Sequence, residues 1–204
     1  MNPTVSIQQW LSKGWRLFWR QPLVFGLAAV FYFTVVFGTG AFYENKQVFV
    51  LSYFLLNGPL LVGFYALYFQ QIRGEAPTFS AFFEGFRVFL PTVLANFCLF
   101  VILILGYTFF ILPGFILEAL FLFTYPLILD KRLGFWEAMM TSQRAVRKYV
   151  FEFSGYILLK WILYLAGLLF LGIGILVVFP WFSGSVAVAY SDIFGLEEKP
   201  AAVG

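Results

Sequence analysis

The sequence predicts an all-α membrane protein: a polytopic helical bundle of about six transmembrane helices with three interfacial amphipathic helices on the cytoplasmic side. Hydrophobic residues make up 62% of its 204 residues and charged residues only 11%, whereas a soluble domain usually carries about 25% charged residues. The apolar residues gather in runs of about 20, the helical length that crosses a bilayer core about 30 Å thick. Lipid is therefore the predicted solvent for most of this surface.

Three amphipathic segments alternate with the apolar runs. In each of them, aromatic and aliphatic side chains fall on one helix face and basic or polar side chains fall on the other. This pattern is typical of a helix that lies at the lipid headgroups. The segments predicted to be interfacial helices are 5–20, 78–89 and 134–150.

The apolar runs are separated by charged loops or by glycine and proline. Leu112, Pro113 and Gly114 separate the third and fourth runs, which predicts a tight turn without polar side chains. The polar tail 196–204 is predicted to be flexible. The predicted spans are 23–42, 48–69, 90–111, 115–129, 153–171 and 175–193, all within one membrane domain.

Basic residues lie almost wholly on one side of this layout. Of thirteen Lys and Arg residues, eleven fall on one face, Lys46 falls on the other, and Lys160 lies within a span. Cytoplasmic loops of membrane proteins carry the Lys and Arg excess. We therefore predict that both termini are cytoplasmic and that almost nothing protrudes on the far side.

The inventory of reactive side chains excludes several kinds of chemistry. Cys98 is the single cysteine and there is no histidine. An intrachain disulfide, a Cys/His metal site and a nucleophile paired with histidine are therefore excluded, while carboxylate-only metal sites stay open. The basic residues are dispersed among apolar segments, which argues against a nucleic-acid partner. We predict no catalytic residue, no metal site and no cofactor.

An interfacial helix, a span, a turn and a second span occur in this order three times. Each even-numbered span contains a proline, Pro59, Pro126 or Pro180, which removes a backbone donor and should break or kink the helix. Residues 59–74 and 180–195 also share Pro, Gly, Ile and Gly at equivalent positions. Duplication of a stable hairpin and the parallel repeats of some transporters both explain this pattern.

Three polar residues inside spans form the candidate site. Glu118 and Lys160 are the only charges well inside spans, and a charge within the membrane is by default a functional-site hypothesis. Their depths permit pairing if the lysine snorkels toward the carboxylate. They could form a structural ion pair, or a site for a substrate, a proton or a lipid headgroup. Asn57, beside Gly58 and Pro59, could bind a ligand or make a packing hydrogen bond.

The basic surface of the first and third interfacial helices is a second candidate site. A lysine or arginine near the membrane attracts anionic lipid by about 1 kcal/mol, although topology alone explains the same charges. The residues predicted to contact anionic headgroups are Lys13, Arg16, Arg20, Arg144, Arg147 and Lys148.

Four segments rich in Gly, Pro and apolar residues carry a family resemblance. They are GWRLFWRQPLVF, GPLLVGFYALYFQQIRGEAPTFSAFFEGF, ILPGFILEALFLFTYPLILD and GIGILVVFPWFSGSVAVAYSDIFG. In them the chain resembles uncharacterised bacterial six-pass membrane proteins, including the YciC-like proteins and the membrane domain of some glycerophosphodiester phosphodiesterases. The resemblance implies a multi-pass fold in the bacterial cytoplasmic (inner) membrane. It implies no phosphodiesterase activity, because the catalytic domain is absent from these segments.

Together these observations predict a non-enzymatic protein that organises the membrane or serves as an accessory subunit. Its predicted partners are the lipid bilayer, anionic headgroups, and a second copy or another membrane protein. The alternative is a small transporter or lipid-binding permease that uses the polar site within the bundle. A lipid-modifying enzyme would need more polar residues at one depth than this sequence offers.

Overall fold

The computed structural model describes residues 6–42, 46–109, 111–169 and 172–197. Within these ranges the chain is helical between short connections and has no strand. In chain order the helices are α1 (Ile7–Arg20), α2 (Pro22–Phe42), α3 (Lys46–Ile72), a 3₁₀ helix (Phe79–Val88), α4 (Phe89–Phe109), α5 (Ile111–Leu120), α6 (Thr124–Asp130), α7 (Phe135–Val146), a 3₁₀ turn (Arg147–Tyr149), α8 (Val150–Leu169) and α9 (Ile175–Phe194). Some residues of the predicted elements lie outside the described ranges: residue 5 of the first interfacial helix, residue 110 of the third span, residues 170 and 171 of the fifth span, and residues 198–204 of the tail.

Several helical segments have the length and apolarity of membrane spans. Five qualify alone: Lys46–Ile72, Phe79–Phe109, Ile111–Asp130, Phe135–Leu169 and Ile175–Phe194. Ile7–Arg20 and Pro22–Gly38 qualify only together, with a bend of 96° between them, and bring the total to six if that pair is one span. The predicted all-α helical bundle is confirmed, with five or six candidate spans in the described ranges.

The turn predicted at 112–114 is wrong. Pro113 and Gly114 lie inside α5, which begins at Ile111. Proline is tolerated there because the first turn of a helix has backbone N–H groups without intrahelical partners. Gly114 lies against the Tyr107 ring, and a Cβ at this position would overlap that ring. Helix α5 therefore begins earlier than the proline suggests.

The predicted span 115–129 is two helices rather than one. A turn at 121–123 separates α5 from α6. The Ser142 hydroxyl of α7 accepts a 3.1 Å hydrogen bond from the Phe123 backbone N–H and donates one of 2.8 Å to the Leu120 carbonyl. Backbone groups at the break are thus satisfied from a neighbouring helix, as burial requires.

The segment 78–89, predicted to be a separate interfacial helix, is a 3₁₀ helix that continues directly into α4. Residues three apart lie above one another in this conformation, and the rings of Phe79 and Phe82 accordingly stack at 5.9 Å. The segment packs along α3, where a Cβ at Gly63 or Gly85 would overlap a facing backbone carbonyl. Small residues at such contacts let helix backbones approach closely.

The long helices close into a ring. Each is in contact with the next in the order α2, α3, α4, α5, α8, α9 and back to α2. The carboxyl ends of α2, α4 and α8 and the amino ends of α3, α5 and α9 lie at one end of this ring, which we call the turn end. The opposite end carries Arg73 and Lys131, and we call it the basic end.

Three short elements, α1, the 3₁₀ helix and α7, form what we call the collar. They pack on α9, α3 and α6 respectively. Gly14 of α1 lies so close to Ser185 that a Cβ on it would be 2.6 Å from the Ser185 backbone nitrogen. Residues Asn57 to Gln71 of α3 are buried apart from Leu61, whereas the turn-end half of that helix has no buried residue. The protein is therefore tightly packed toward the basic end and more open toward the turn end.

Candidate intramembrane binding site

A cavity of about 650 Å³ lies within the ring. It extends from Tyr65 of α3 and Val186 of α9, within the tightly packed half, to Tyr107 and Ile175 near the turn end. Roughly half of its lining residues are aromatic, and every helix of the ring contributes to the wall. The polar lining residues are Asn57, Asn96, Glu118, Lys160, Ser183 and the tyrosines at 32, 53, 65, 107, 125 and 164. All three residues that the sequence marks as an intramembrane polar site thus share one cavity.

Part of the cavity wall reaches the outer surface of the bundle. Phe37, Ile104 and Trp161 line the cavity and are nonetheless 48%, 50% and 45% exposed. They belong to α2, α4 and α8. A molecule dissolved in the surrounding lipid would meet these side chains first.

Glu118 and Lys160 form an ion pair between α5 and α8, through carboxylate Oε1 and ammonium Nζ. Glu118 Oε2 also accepts hydrogen bonds from the Tyr107 hydroxyl at 2.6 Å and from the Trp161 indole N–H at 2.9 Å. The two charged side chains are only 16% and 12% exposed. The carboxylate is therefore held by three donors, which fix its position.

Lys160 is held less completely than Glu118. Its Nζ lies 4.9 Å from the centre of the Trp161 ring and 5.7 Å from that of Tyr164, distances typical of cation–π contacts. An ammonium has three N–H donors. Among the described residues, Glu118 is the one oxygen partner of this ammonium. Two of its three N–H groups therefore have no oxygen partner among the described residues.

A second polar cluster links four helices at the other side of the cavity. The Tyr32 hydroxyl donates to Asn57 Oδ1 at 2.6 Å, and Asn57 Nδ2 donates to Asn96 Oδ1 at 2.7 Å. Tyr125 donates to the same Asn96 oxygen at 3.1 Å. Asn57 is therefore a packing residue that also lines the cavity, since buried amides need such partners.

Three further tyrosines, Tyr53, Tyr65 and Tyr164, bring hydroxyls to the cavity. Within the described ranges no hydrogen bond joins these hydroxyls to another residue. A phenol hydroxyl both donates and accepts. The sequence does not single these residues out, because tyrosines in an apolar run resemble ordinary aromatic packing.

The three predicted helix-breaking prolines do not line the cavity. Pro59 and Pro180 lie inside α3 and α9, and Pro126 lies in α6 just after the break at 121–123. The Pro180 carbonyl accepts a 2.7 Å hydrogen bond from the Tyr68 hydroxyl. The prolines therefore belong to the packing around the site and not to its surface.

The predicted anionic-lipid contacts lie on the collar and just beyond it. Lys13 is partly engaged, with its Nζ 3.7 Å from Asp192 Oδ2. The exposed members are Arg16, Arg20, Arg144, Arg147 and Lys148. Exposed tryptophans accompany them, at Trp15, Trp19 and Trp136. Basic and indole side chains together suit the headgroup region of a bilayer.

Asp130 is the most connected residue that sequence reasoning missed. Its buried carboxylate accepts hydrogen bonds from Arg73 at 3.1 Å, from the Tyr190 hydroxyl at 2.8 Å and from the Glu197 backbone N–H at 3.2 Å. Lys131 lies 3.6 Å from Asp130 and 3.3 Å from the Glu197 carboxylate. The predicted flexible tail is thus anchored as far as Glu197. Opposite charges at the ends of two successive even-numbered spans could have indicated this cluster.

No cluster of three or more His, Cys, Asp or Glu side chains that could hold a metal occurs in the segments that the structure describes. Comparisons with family models, curated proteins and solved structures give no match.

Proposed function

We propose that this is a lipid-binding membrane protein that holds an amphipathic small molecule in the cavity of its helical ring and performs no catalysis. One observation carries this proposal: the cavity combines aromatic walls with a Glu118–Lys160 pair and polar tyrosines inside candidate membrane spans. Its volume of about 650 Å³ lies within the range of about 300–1,000 Å³ usual for small-molecule sites.

A purely structural ion pair fits this arrangement less well. Each charge inside a membrane span costs about 3 kcal/mol on the insertion scale, and a pair that only joins two helices is best buried between them. Here the pair faces a cavity that tyrosines and asparagines share. This favours a ligand site. The sequence alone favours a membrane-organising or accessory role.

The protein is proposed to reside in the bacterial inner membrane with both termini in the cytoplasm. The exposed basic and tryptophan side chains of the collar support this orientation, because the Lys and Arg excess lies on the cytoplasmic side. The same surface is proposed to contact anionic lipid headgroups. The resemblance to YciC-like proteins agrees with this location and stays a prediction.

Single cysteines test the orientation. In a Cys98→Ser background, Ile173→Cys at the exposed turn end and Arg144→Cys on the collar are treated with a membrane-impermeant maleimide on intact cells. On intact cells we expect labelling of the Ile173→Cys protein and none of the Arg144→Cys protein. Once the membrane is permeabilised, we expect the Arg144→Cys protein to be labelled as well. The reverse pattern would overturn the orientation.

Matched tryptophan substitutions on α4 test ligand binding. Leu103 lines the cavity, whereas Leu105 is 51% exposed on the outer surface. The protein is purified in native lipid nanoparticles, and co-purifying small molecules are quantified by mass spectrometry. We expect Leu103→Trp to lose a molecule that the wild type and Leu105→Trp retain. Equal lipid profiles for all three proteins would refute the proposed function.

A further inference from the structure

The charges of the cavity restrict the kind of molecule it can hold. Among the lining residues Glu118 is the one carboxylic acid and Lys160 the one amine, and their charges neutralise each other. A ligand with a net charge would leave that charge without a counter-charge in a site walled by aromatic rings. Burying an uncompensated charge is strongly unfavourable.

The hydrogen-bonding groups of the cavity restrict the ligand further. The carboxylate already accepts from Tyr107, Trp161 and Lys160, so it has little capacity for a new donor. Donors, by contrast, are in excess. The Lys160 ammonium has two N–H groups without a described oxygen partner, and Tyr53, Tyr65 and Tyr164 contribute hydroxyls. Oxygen acceptors on a ligand would satisfy these donors.

Resting on the function proposed above, we infer that the ligand is a lipid without net charge whose polar end carries carbonyl and hydroxyl oxygens, as in an acylglycerol. Its polar end would lie at Lys160 and the neighbouring tyrosines, and its acyl chain along the aromatic wall. The Glu118–Lys160 pair stays intact when such a molecule binds. In this pair the Lys160 ammonium donates hydrogen bonds to the ligand, and the Glu118 carboxylate neutralises the charge of that ammonium.

Two photoreactive probes with the same single acyl chain test this inference. One is a monoacylglycerol and the other is the corresponding lysophosphatidate, which differs by an anionic phosphate. Each is added to the purified wild-type protein in phosphatidylcholine nanodiscs, irradiated, and mapped by peptide mass spectrometry. We expect the monoacylglycerol to label cavity residues about tenfold or more strongly than the lysophosphatidate, and an excess of unlabelled monoacylglycerol to abolish that labelling.

Glu118→Gln provides a charge-specific control. It removes the counter-charge and leaves the ammonium, so labelling by lysophosphatidate should rise above that by monoacylglycerol. Lys160→Gln should reduce labelling by monoacylglycerol without admitting the anionic probe. A side-chain pair that served packing alone would not reverse the preference.

The outcomes separate the two proposals. If neither probe labels the cavity of the wild type and both label only its outer surface, the proposed function is overturned. If lysophosphatidate labels the wild-type cavity as strongly as monoacylglycerol, the cavity binds lipid but the inference of an uncharged ligand is overturned. Both readings come from the wild type and hold even if a variant fails to fold.

Discussion

The Tyr68 hydroxyl of α3 donates a 2.7 Å hydrogen bond to the Pro180 carbonyl of α9. Gly184 lies beneath the same ring, so that a Cβ at this position would be 2.6 Å from a Tyr68 ring carbon. This contact joins the even-numbered spans of the first and third repeats through buried residues.

The Tyr68 contact predicts that two substitutions lower the stability of the protein, one by removing a hydrogen bond and one by crowding the ring. Tyr68→Phe removes the hydrogen bond and should lower the free energy of unfolding by about 1 kcal/mol. Gly184→Val forces the Tyr68 ring aside and should cost about 1–3 kcal/mol as an overpacked contact. Thermal unfolding in detergent measures both. A Gly184→Val protein as stable as the wild type would contradict the close packing.

The contacts of the Glu118–Lys160 ion pair predict that replacing Glu118 lowers the stability of the protein more than replacing Lys160. Breaking a buried pair costs about 3–5 kcal/mol. Glu118 keeps Tyr107 and Trp161 as donors when Lys160 is replaced, whereas Lys160 keeps no charged partner when Glu118 is replaced. Glu118→Gln should therefore melt at a lower temperature than Lys160→Gln. The double variant should recover most of the loss, and a double variant that melts lowest of all would contradict this account.

Two aspartates at the basic end, Asp130 and Asp192, allow a buried carboxylate to be compared with an exposed one. The Asp130 side chain is 0% exposed and holds Arg73, Tyr190 and the Glu197 backbone. The Asp192 side chain is 40% exposed and pairs with Lys13. Asp130→Asn should cost about 3–5 kcal/mol, and Asp192→Asn about 0–1 kcal/mol. Urea or thermal unfolding of the purified variants decides between this ranking and the opposite one.

Gly14 of α1 and Gly26 of α2 distinguish the effect of close packing on stability from the effect of helix propensity. A Cβ at Gly14 would overlap the Ser185 backbone, whereas one at Gly26 would meet nothing within 4 Å. Gly14→Ala should destabilise the protein by about 1–3 kcal/mol. Gly26→Ala should be neutral or stabilise it by up to about 1 kcal/mol, since alanine is the better helix former. If both variants melt alike, α1 does not pack on α9 as described.

The helical class was readable from the sequence because long uncharged runs have few alternatives to membrane helices. The start of α5 at Ile111 was not, because Pro113 is equally compatible with a turn and with the first turn of a helix. The break before α6 was hidden for a similar reason: it depends on Ser142, which is distant in sequence. Local patterns do not encode such partners.

The candidate site was partly readable. Glu118, Lys160 and Asn57 stood out because polar side chains are rare within spans. The tyrosines and the Asp130 cluster did not, since their significance depends on which helices are neighbours. A shared motif could have indicated the collar packing: Gly14, Gly85 and Ser142 each precede an arginine by two positions, and each meets the backbone of α9, α3 or α5.

Closure of the ring by α9 has a consequence for biosynthesis. Of the helices described, α1 is made first and packs chiefly on the last, α9, so its buried face, including Trp10 and Phe18, lacks its main partner until α9 has been synthesised. Until then this helix must be shielded by the membrane surface or by an insertion factor. A chain truncated before Ile175 would leave Trp10 without Asp192, to which its indole now donates a hydrogen bond of 2.9 Å.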